Sequence, residues 1–334
     1  MTIKTSASVT MARPPGRVAA MLMAAGLTMM ATSSSVWAQE LEEVTFRTNW
    51  FPQAEHGGWY HAVSQGTYED YGLEVEMEPG GPQVNNIQLL LGGRADFVML
   101  HSSGQVLNAV EEGLPLVALA AFYQKDPQII MTHPGVGHDS LEDLKGKPIL
   151  LSQDAHQSFF ITDPEVIQQA YVTSETFVVK EAGIDPNVFL LSDHGWQSYS
   201  TMIVTTRQTL EERPEVARKF VEASIEGWYQ YLQDPEPTNA HITQLNENQG
   251  PDQLAHSMRE MDERGIVLSG DALTQGIGIM TDERWQDIHE QLVSLDLIDE
   301  SVNATMGYTT EFVGTEAIDK IMARYPDVSG AGSD

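Results

Sequence analysis

Val44-Thr45-Phe46-Arg47-Thr48 is a short β-rich run, and Leu73-Glu74-Val75-Glu76-Met77 is a second; the stretch between them, 55–71, is amphipathic. A helical segment at 85–91 and a further strand at 95–100 continue the alternation. Strand-like runs separated by amphipathic stretches are the βαβ signature of a parallel sheet flanked by helices, which places the chain in the α/β class. Gly72, directly after Tyr71, is the expected helix stop. Gly80-Gly81-Pro82 forms a loop ahead of the helix at Asn85, and Ser102-Ser103-Gly104 sits where a strand ends and a helix begins.

Working outward, further strands are predicted at 116–122, 129–132, 148–151, 188–191 and 202–206. Beyond Thr206 the character turns helical. Pro214 fits a first helical turn, and Ala217, Phe220, Val221, Ser224, Trp228 and Tyr231 fall on one face, a stripe read as core rather than ligand site. Helices follow at 252–264 and 282–295, and 326–334 reads as a frayed, flexible tail.

The first 38 residues read as a secretory signal: Lys4, Arg13 and Arg17 precede the apolar run 18–31, and the stretch ends in Val36-Trp37-Ala38. That run is about 14 residues, short of the roughly 20 that span a bilayer. The expectation is a soluble protein in the periplasm, cleaved near Ala38. The chain has no cysteine, which excludes a lipoprotein anchor, disulfides, thiol chemistry and a cysteine-built metal site. The net charge is −30, and removing the three basic residues of the leader takes it to −33, a field that repels nucleic acid and anionic membranes. No nucleic-acid partner is expected, and most of this acidity is read as solvated surface.

At Asn49-Trp50-Phe51-Pro52-Gln53-Ala54-Glu55-His56-Gly57-Gly58-Trp59-Tyr60 the sequence resembles the periplasmic solute-binding proteins of ABC importers, in the SsuA/ThiY-like group that binds thiamine pyrimidine precursors, alkanesulfonates, taurine and nitrate. Four further stretches carry the same resemblance in order: Tyr68 to Val75, Gly92 to Phe97, Ser140 to Lys147, and Arg213 to Phe220. The Asn-Trp element with its following His looks most like the thiamine-precursor branch. The resemblance implies a two-lobed periplasmic binding protein fold (type II), with two crossing strands and a ligand held in the cleft between the lobes. Lobe one is placed at 41–135 plus 205–325, and lobe two at 136–204. It also implies a monomer that works with ABC permease and ATPase subunits, binds a pyrimidine precursor or similar small heteroaromatic, and catalyses nothing. A sulfonate, taurine or nitrate receptor of the same fold is the alternative, as is, from another class, a thiamine pyrimidine synthase-like enzyme. That enzyme is expected to need a cysteine-rich motif, a lysine and a histidine; the last two positions here read Leu100 and Gly104, with His101 out of register.

One departure from the family pattern follows from chain length. The strand at 148–151 is followed by 153–161, and Thr162-Asp163-Pro164-Glu165 then reads as the start of a new helix. Nine residues cannot make a parallel crossover, which needs a dozen or more. The second lobe is therefore expected to be shortened, with 153–161 irregular, fewer strands than the first lobe, and Phe159 and Phe160 less buried than core phenylalanines.

Candidate ligand-binding residues follow from strand ends and helix starts. Trp50 ends the first strand, where an indole can stack on a heteroaromatic ring or pack in the core. His56 and Tyr60 are four apart on the next helix and share a face. Asn85, Asn86, Ser102 and Ser103 stand at helix N-termini, where capping alone would explain them. In the second lobe Tyr171 and Glu175 resemble the family stretch whose acidic residue receives a ligand amino group, and Asp193 and Tyr199 flank the turn before the second crossing strand. The ten histidines show no metal-ligand spacing, so neither metal nor cofactor is expected.

Overall fold

A computed structural model describes residues 41–151 and 157–329; the expected leader and the expected cleavage point at Ala38 lie outside them. The strands are β1 (Glu42–Arg47), β2 (Leu73–Glu78), β3 (Phe97–Leu100), β4 (Leu116–Tyr123), β5 (Gln128–Thr132), β6 (Gln168–Tyr171), β7 (Asn187–Leu190) and β8 (Ser200–Thr206). They form a five-stranded sheet in the order β2-β1-β3-β8-β4 and a three-stranded sheet in the order β6-β5-β7. In the larger sheet β1 pairs parallel with β2 and β3, whereas β8 lies antiparallel between β3 and β4. The smaller sheet is antiparallel throughout.

The helices of the first half are α1 (Gly57–Ser64), α2 (Thr67–Asp70), α3 (Asn86–Leu91), α4 (Ser103–Glu111), α5 (Gln157–Thr162) and α6 (Glu175–Glu181). Those of the second half are α7 (Arg207–Glu212), α8 (Pro214–Gln233), α9 (Glu236–Leu245), α10 (Pro251–Glu263), α11 (Ala272–Gln275), α12 (Asp282–Ser294), α13 (Glu316–Met322) and α14 (Pro326–Ser329). None among the described residues is long and apolar enough to cross a membrane. The expected single amphipathic stretch over 55–71 is broken by Gly66, whose φ of 80° ends one helix and begins the next.

Burial follows the sequence pattern. All eight residues of β4 are buried, as expected of a strand covered on both faces, whereas β1 alternates around buried Val44 and Phe46. The stripe on α8 is core: Phe220 stacks on Phe97 with centroids 4.4 Å apart, and Trp228 meets Trp59 edge-on at 5.9 Å. The far edge of β4 is sealed by later chain, since Ala118 bridges Tyr308 and Ala121 bridges Gly278.

Several expectations are corrected. The strand expected at 148–151 is reduced to one parallel bridge from Leu150 to Gln168 on the outer edge of β6. Within 153–161, residues 157–161 are helical as part of α5, and 153–156 lie outside the described residues. No helix begins at Thr162; α5 ends there and Asp163 turns the chain into β6, its carboxylate accepting from Glu165 N at 3.0 Å. Phe159 is exposed, but Phe160 is fully buried against the His133 ring, 4.4 Å between centroids, because α5 folds its inner face back onto the smaller sheet. β5 lies inside the stretch assigned to the first lobe, yet it pairs with β6 and β7, so the smaller sheet begins at Gln128. The tail is not frayed throughout: α14 spans its first residues, and Val328 packs on the core.

In the helical layer α1 and α8 pack closely through glycines. A Cβ on Gly227 would lie 2.5 Å from the Gly58 carbonyl oxygen and 2.7 Å from Ala62 Cβ. Gly227→Ala is expected to force the two backbones apart at a cost of about 1–3 kcal/mol. Urea denaturation should then give a lower midpoint at unchanged slope; an unaltered midpoint would show that the two helices have slack.

Candidate functional site

The C-terminal ends of β1, β3 and β4 and the start of antiparallel β8 lie along one edge of the larger sheet. Ligands of open α/β sheets bind outside the carboxyl ends of the strands. Side-chain-to-backbone bonds knit this edge together. Asn86 Nδ2 donates to the Thr48 and Met99 carbonyls, both at 3.1 Å, joining the ends of β1 and β3. Ser200 Oγ donates to the His101 carbonyl at 2.5 Å, joining β3 to β8. Tyr123 Oη donates to the Glu55 carbonyl at 3.3 Å, joining β4 to the turn before α1. Thr201 holds a φ of 54°, a strained value for a β-branched residue, beside this junction.

The structure brings Trp50, His56, Tyr60 and Asn86 to the β1–β3 part of the edge. Trp50 is 37% exposed and touches the Phe51 ring edge-on at 5.6 Å. Its backbone is held by Gly80, whose N–H donates to the Trp50 carbonyl at 3.1 Å; a Cβ on Gly80 would lie 2.4 Å from the Asn49 carbonyl carbon. His56 is fully buried, and its Nε2 donates to Asn49 Oδ1 at 3.1 Å. Burial holds its imidazole down at about 3, so it stays neutral at ordinary pH. Tyr60 is buried, its hydroxyl has no hydrogen-bond partner, and burial raises its pKa. His56 Nδ1 and Asn86 Oδ1 are likewise buried without partners.

The other candidates have partners within the chain. Asn85 caps α3 and Ser102 caps α4, accepting from Gln88 N and Gln105 N. Ser103 is buried, with its hydroxyl 3.1 Å from that of Ser198. Tyr199 is buried beneath the Arg284 guanidinium, 4.3 Å from its ring centroid, and its hydroxyl accepts from Thr281 N. Asp193 pairs with Lys125 at 3.2 Å on the surface. In the smaller sheet, Glu175 Oε2 accepts from Tyr171 N and Ser174 Oγ, both at 2.8 Å, which ties the carboxylate to its own turn.

Glu55 was not chosen from the sequence. It is buried, and neither carboxylate oxygen has a hydrogen-bond partner. It faces Thr173, which follows β6 of the smaller sheet; no hydrogen bond of ordinary geometry joins them, since Thr173 Oγ1 is also buried without a partner. The available signal was its place between Ala54 and His56 in the best-matching motif. Two surface concavities lie elsewhere. One of about 610 Å³ is lined by Leu41, Glu42, Glu43, Glu74 and Arg213 at the N-terminal end of β1, the wrong end for a strand-edge site. The other, about 360 Å³, lies among Met258, Met261 and Val328.

A family model described as NMT1/THI5 like matches residues 53–163 and 160–238. The riboflavin-binding protein RibY of Chloroflexus aurantiacus is 22% identical over 306 residues, covering 82% of this chain and 86% of that protein. The formylaminopyrimidine-binding protein of Halalkalibacterium halodurans is 21% identical over 306 residues, covering 81% of this chain and 91% of that protein. Among solved structures, the alkanesulfonate-binding protein SsuA from Xanthomonas axonopodis pv. citri, bound to MOPS, superposes with a TM-score of 0.62 at 10% identity over 81% of this chain and 99% of that one. The fold is that of the periplasmic binding proteins.

Two segments cross between the sheets, 124–127 from β4 to β5 and 191–199 from β7 to β8; Asp126 lies buried in the first and accepts from Gln128 N and Gln128 Nε2, both at 3.0 Å. Burial raises its carboxyl to about 6 against these bonds and a contact with Trp196 of the second crossing. The folded chain thus holds this proton more tightly than the unfolded chain. The stabilisation is fully present below the ordinary value of 3.8 and is lost as pH rises through about 6. Asp126→Asn should remove the loss, on the order of 2–3 kcal/mol. Melting temperatures between about pH 4 and 7 should therefore move progressively in favour of the variant; a pH-independent difference would show that Asp126 does not titrate with folding.

Proposed function

The chain belongs to the NMT1/THI5-like family, and on that premise we propose that it is the exported receptor of an ABC importer, binding a small heteroaromatic where the two sheets meet. The observation that carries this reading is the composition of the strand edge: an exposed indole, Trp50, beside the buried, unpartnered polar atoms of Tyr60, His56 and Asn86. A flat heterocycle uses both kinds of group, stacking on the first and hydrogen-bonding to the second. Two relatives that span most of the chain are named for binding a flavin and an aminopyrimidine, which supports the same ligand class. We place the first lobe on the larger sheet with its helices and the second on 128–190, with crossings at 124–127 and 191–199. The receptor acts as a monomer, is exported by its leader, and delivers ligand to permease and ATPase subunits.

The same residues argue against catalysis. His56 has too little basicity to take a proton near neutral pH, and the chain has no cysteine to serve as nucleophile or iron ligand. A sulfonate receptor would depend on helix N-termini, yet those of α3 and α4 are already capped by Asn85 and Ser102.

N-terminal sequencing of the protein from its native host should begin at Gln39; a sequence beginning at Met1 would overturn export by cleavage. In a thermal-shift screen of pyrimidine precursors, riboflavin, taurine, MOPS and nitrate, a heteroaromatic should stabilise the protein, by about 2.7 kcal/mol at a hundredfold excess over its dissociation constant. Trp50→Ala should weaken that binding by about 1–3 kcal/mol. Stabilisation by sulfonates or nitrate alone would replace the ligand assignment.

A further inference from the structure

Glu55 and Thr173 come from different sheets and meet at the junction with their hydrogen-bonding capacity unused. The turn that carries Thr173 is held firmly from α10. Ser257 Oγ donates to the Thr173 carbonyl at 2.6 Å, Gln253 Nε2 donates to the Ser174 carbonyl at 3.3 Å, and the Thr176 hydroxyl lies 2.8 Å from His256 Nε2. The first two bonds use the backbone of the turn and the third the Thr176 side chain, which leaves the Thr173 hydroxyl facing Glu55. On the other side, the Glu55 backbone is fixed by Tyr123, whose hydroxyl donates to its carbonyl. Glu55 is 6% exposed and Thr173 0% exposed, so water has little access to either side chain.

A buried carboxyl without partners costs free energy in the folded chain, and such a group is kept where something else uses it. Among the described residues no Lys, Arg or His forms an ion pair with Glu55. The formal charge that acts on it is that of Glu175, of its own sign. A ligand anion brought here would meet two carboxyl groups and no cation. A ligand N–H would meet acceptors whose hydrogen bonds are strong because they are charge-assisted and dry.

We propose that Glu55, with Thr173 beside it, is a specificity-determining group that receives the amino-bearing edge of the heteroaromatic ligand and rejects anionic ligands. This rests on the reading of the junction as a heteroaromatic site and assigns a contact within it. Burial, reinforced by Glu175, pushes the Glu55 carboxyl up.

The test is calorimetric titration of the purified protein with 4-amino-5-hydroxymethyl-2-methylpyrimidine and its des-amino analogue, alongside riboflavin and MOPS. The native protein should prefer the amino compound by about tenfold or more. Glu55→Leu should bring the two affinities together mainly by weakening the amino compound. Glu55→Gln, nearly isosteric, should reduce the preference to an intermediate ratio and serves as the measurement if the leucine variant fails to fold. A preference unchanged in the folded variants would overturn the assignment, as would a native protein that favours neither pyrimidine or binds neither. If riboflavin or either pyrimidine still binds in those cases, the heteroaromatic reading stands without Glu55. If only MOPS binds, both fall.

Discussion

The structure depends on one strand arriving late. β8 fills the gap between β3 and β4 and pairs antiparallel with both, so the larger sheet is incomplete until the chain has built the smaller one and returned. Met202, Ile203 and Val204 are fully buried, and losing them would open the middle of the sheet rather than its rim. The site inherits this constraint. The start of β8 stands beside the end of β3, where Ser200 is bonded to the His101 carbonyl and Ser103 N donates to the Tyr199 carbonyl at 3.0 Å. The end of β3 is thus registered against chain almost a hundred residues away in sequence by pairings with high loop-closure cost.

The two crossings between the sheets are coupled through α12. Arg284 donates to both the backbone and side-chain carbonyl oxygens of Gln124 in the first crossing, and its guanidinium lies over Tyr199 beside the second. Gln124 Nε2 in turn donates to the Ala121 and Ile279 carbonyls at 3.2 and 3.0 Å. This arrangement explains why Tyr199, chosen from its position near a crossing, is not available to a ligand: its ring and its hydroxyl are both engaged. A change in angle between the sheets would have to pass through segments 124–127 and 191–199, and Arg284 resists it at both.

Much of the fold could be read locally. The strands and helices from Val44 to Leu100 follow from periodicity, and the stripe on α8 announced its buried face, because in both cases the pattern repeats within one element. What could not be read was pairing across long separations. Nothing in 202–206 says that it is a central, antiparallel strand, and nothing in 129–132 says that it has left the first sheet. The shortened connection was read correctly in its arithmetic and only in part in its outcome: the smaller sheet has three strands against five and Phe159 is exposed, but α5, one short helix, buries Phe160, and Leu150 retains a single bridge where a strand was expected. At the edge of the larger sheet, the positions of Trp50, His56, Tyr60 and Asn86 were legible from strand ends and helix starts. Glu55 was not, since on a chain of net charge −30 a single carboxylate is ordinarily solvated and only tertiary packing shows that this one is dry.

The sealing of β4 has a consequence for how the molecule comes into being. Eight consecutive apolar residues on an outer strand are a template for adding another chain's backbone, and the native protein removes it by laying Gly278 and Gly307 to Thr309 along that edge. Those covering segments emerge from synthesis more than 150 residues after the strand they protect. Throughout that interval the nascent chain presents an uncovered adhesive rim, so its safe assembly is a matter of timing as much as of stability, and the last fifth of the sequence acts as the closure of that rim.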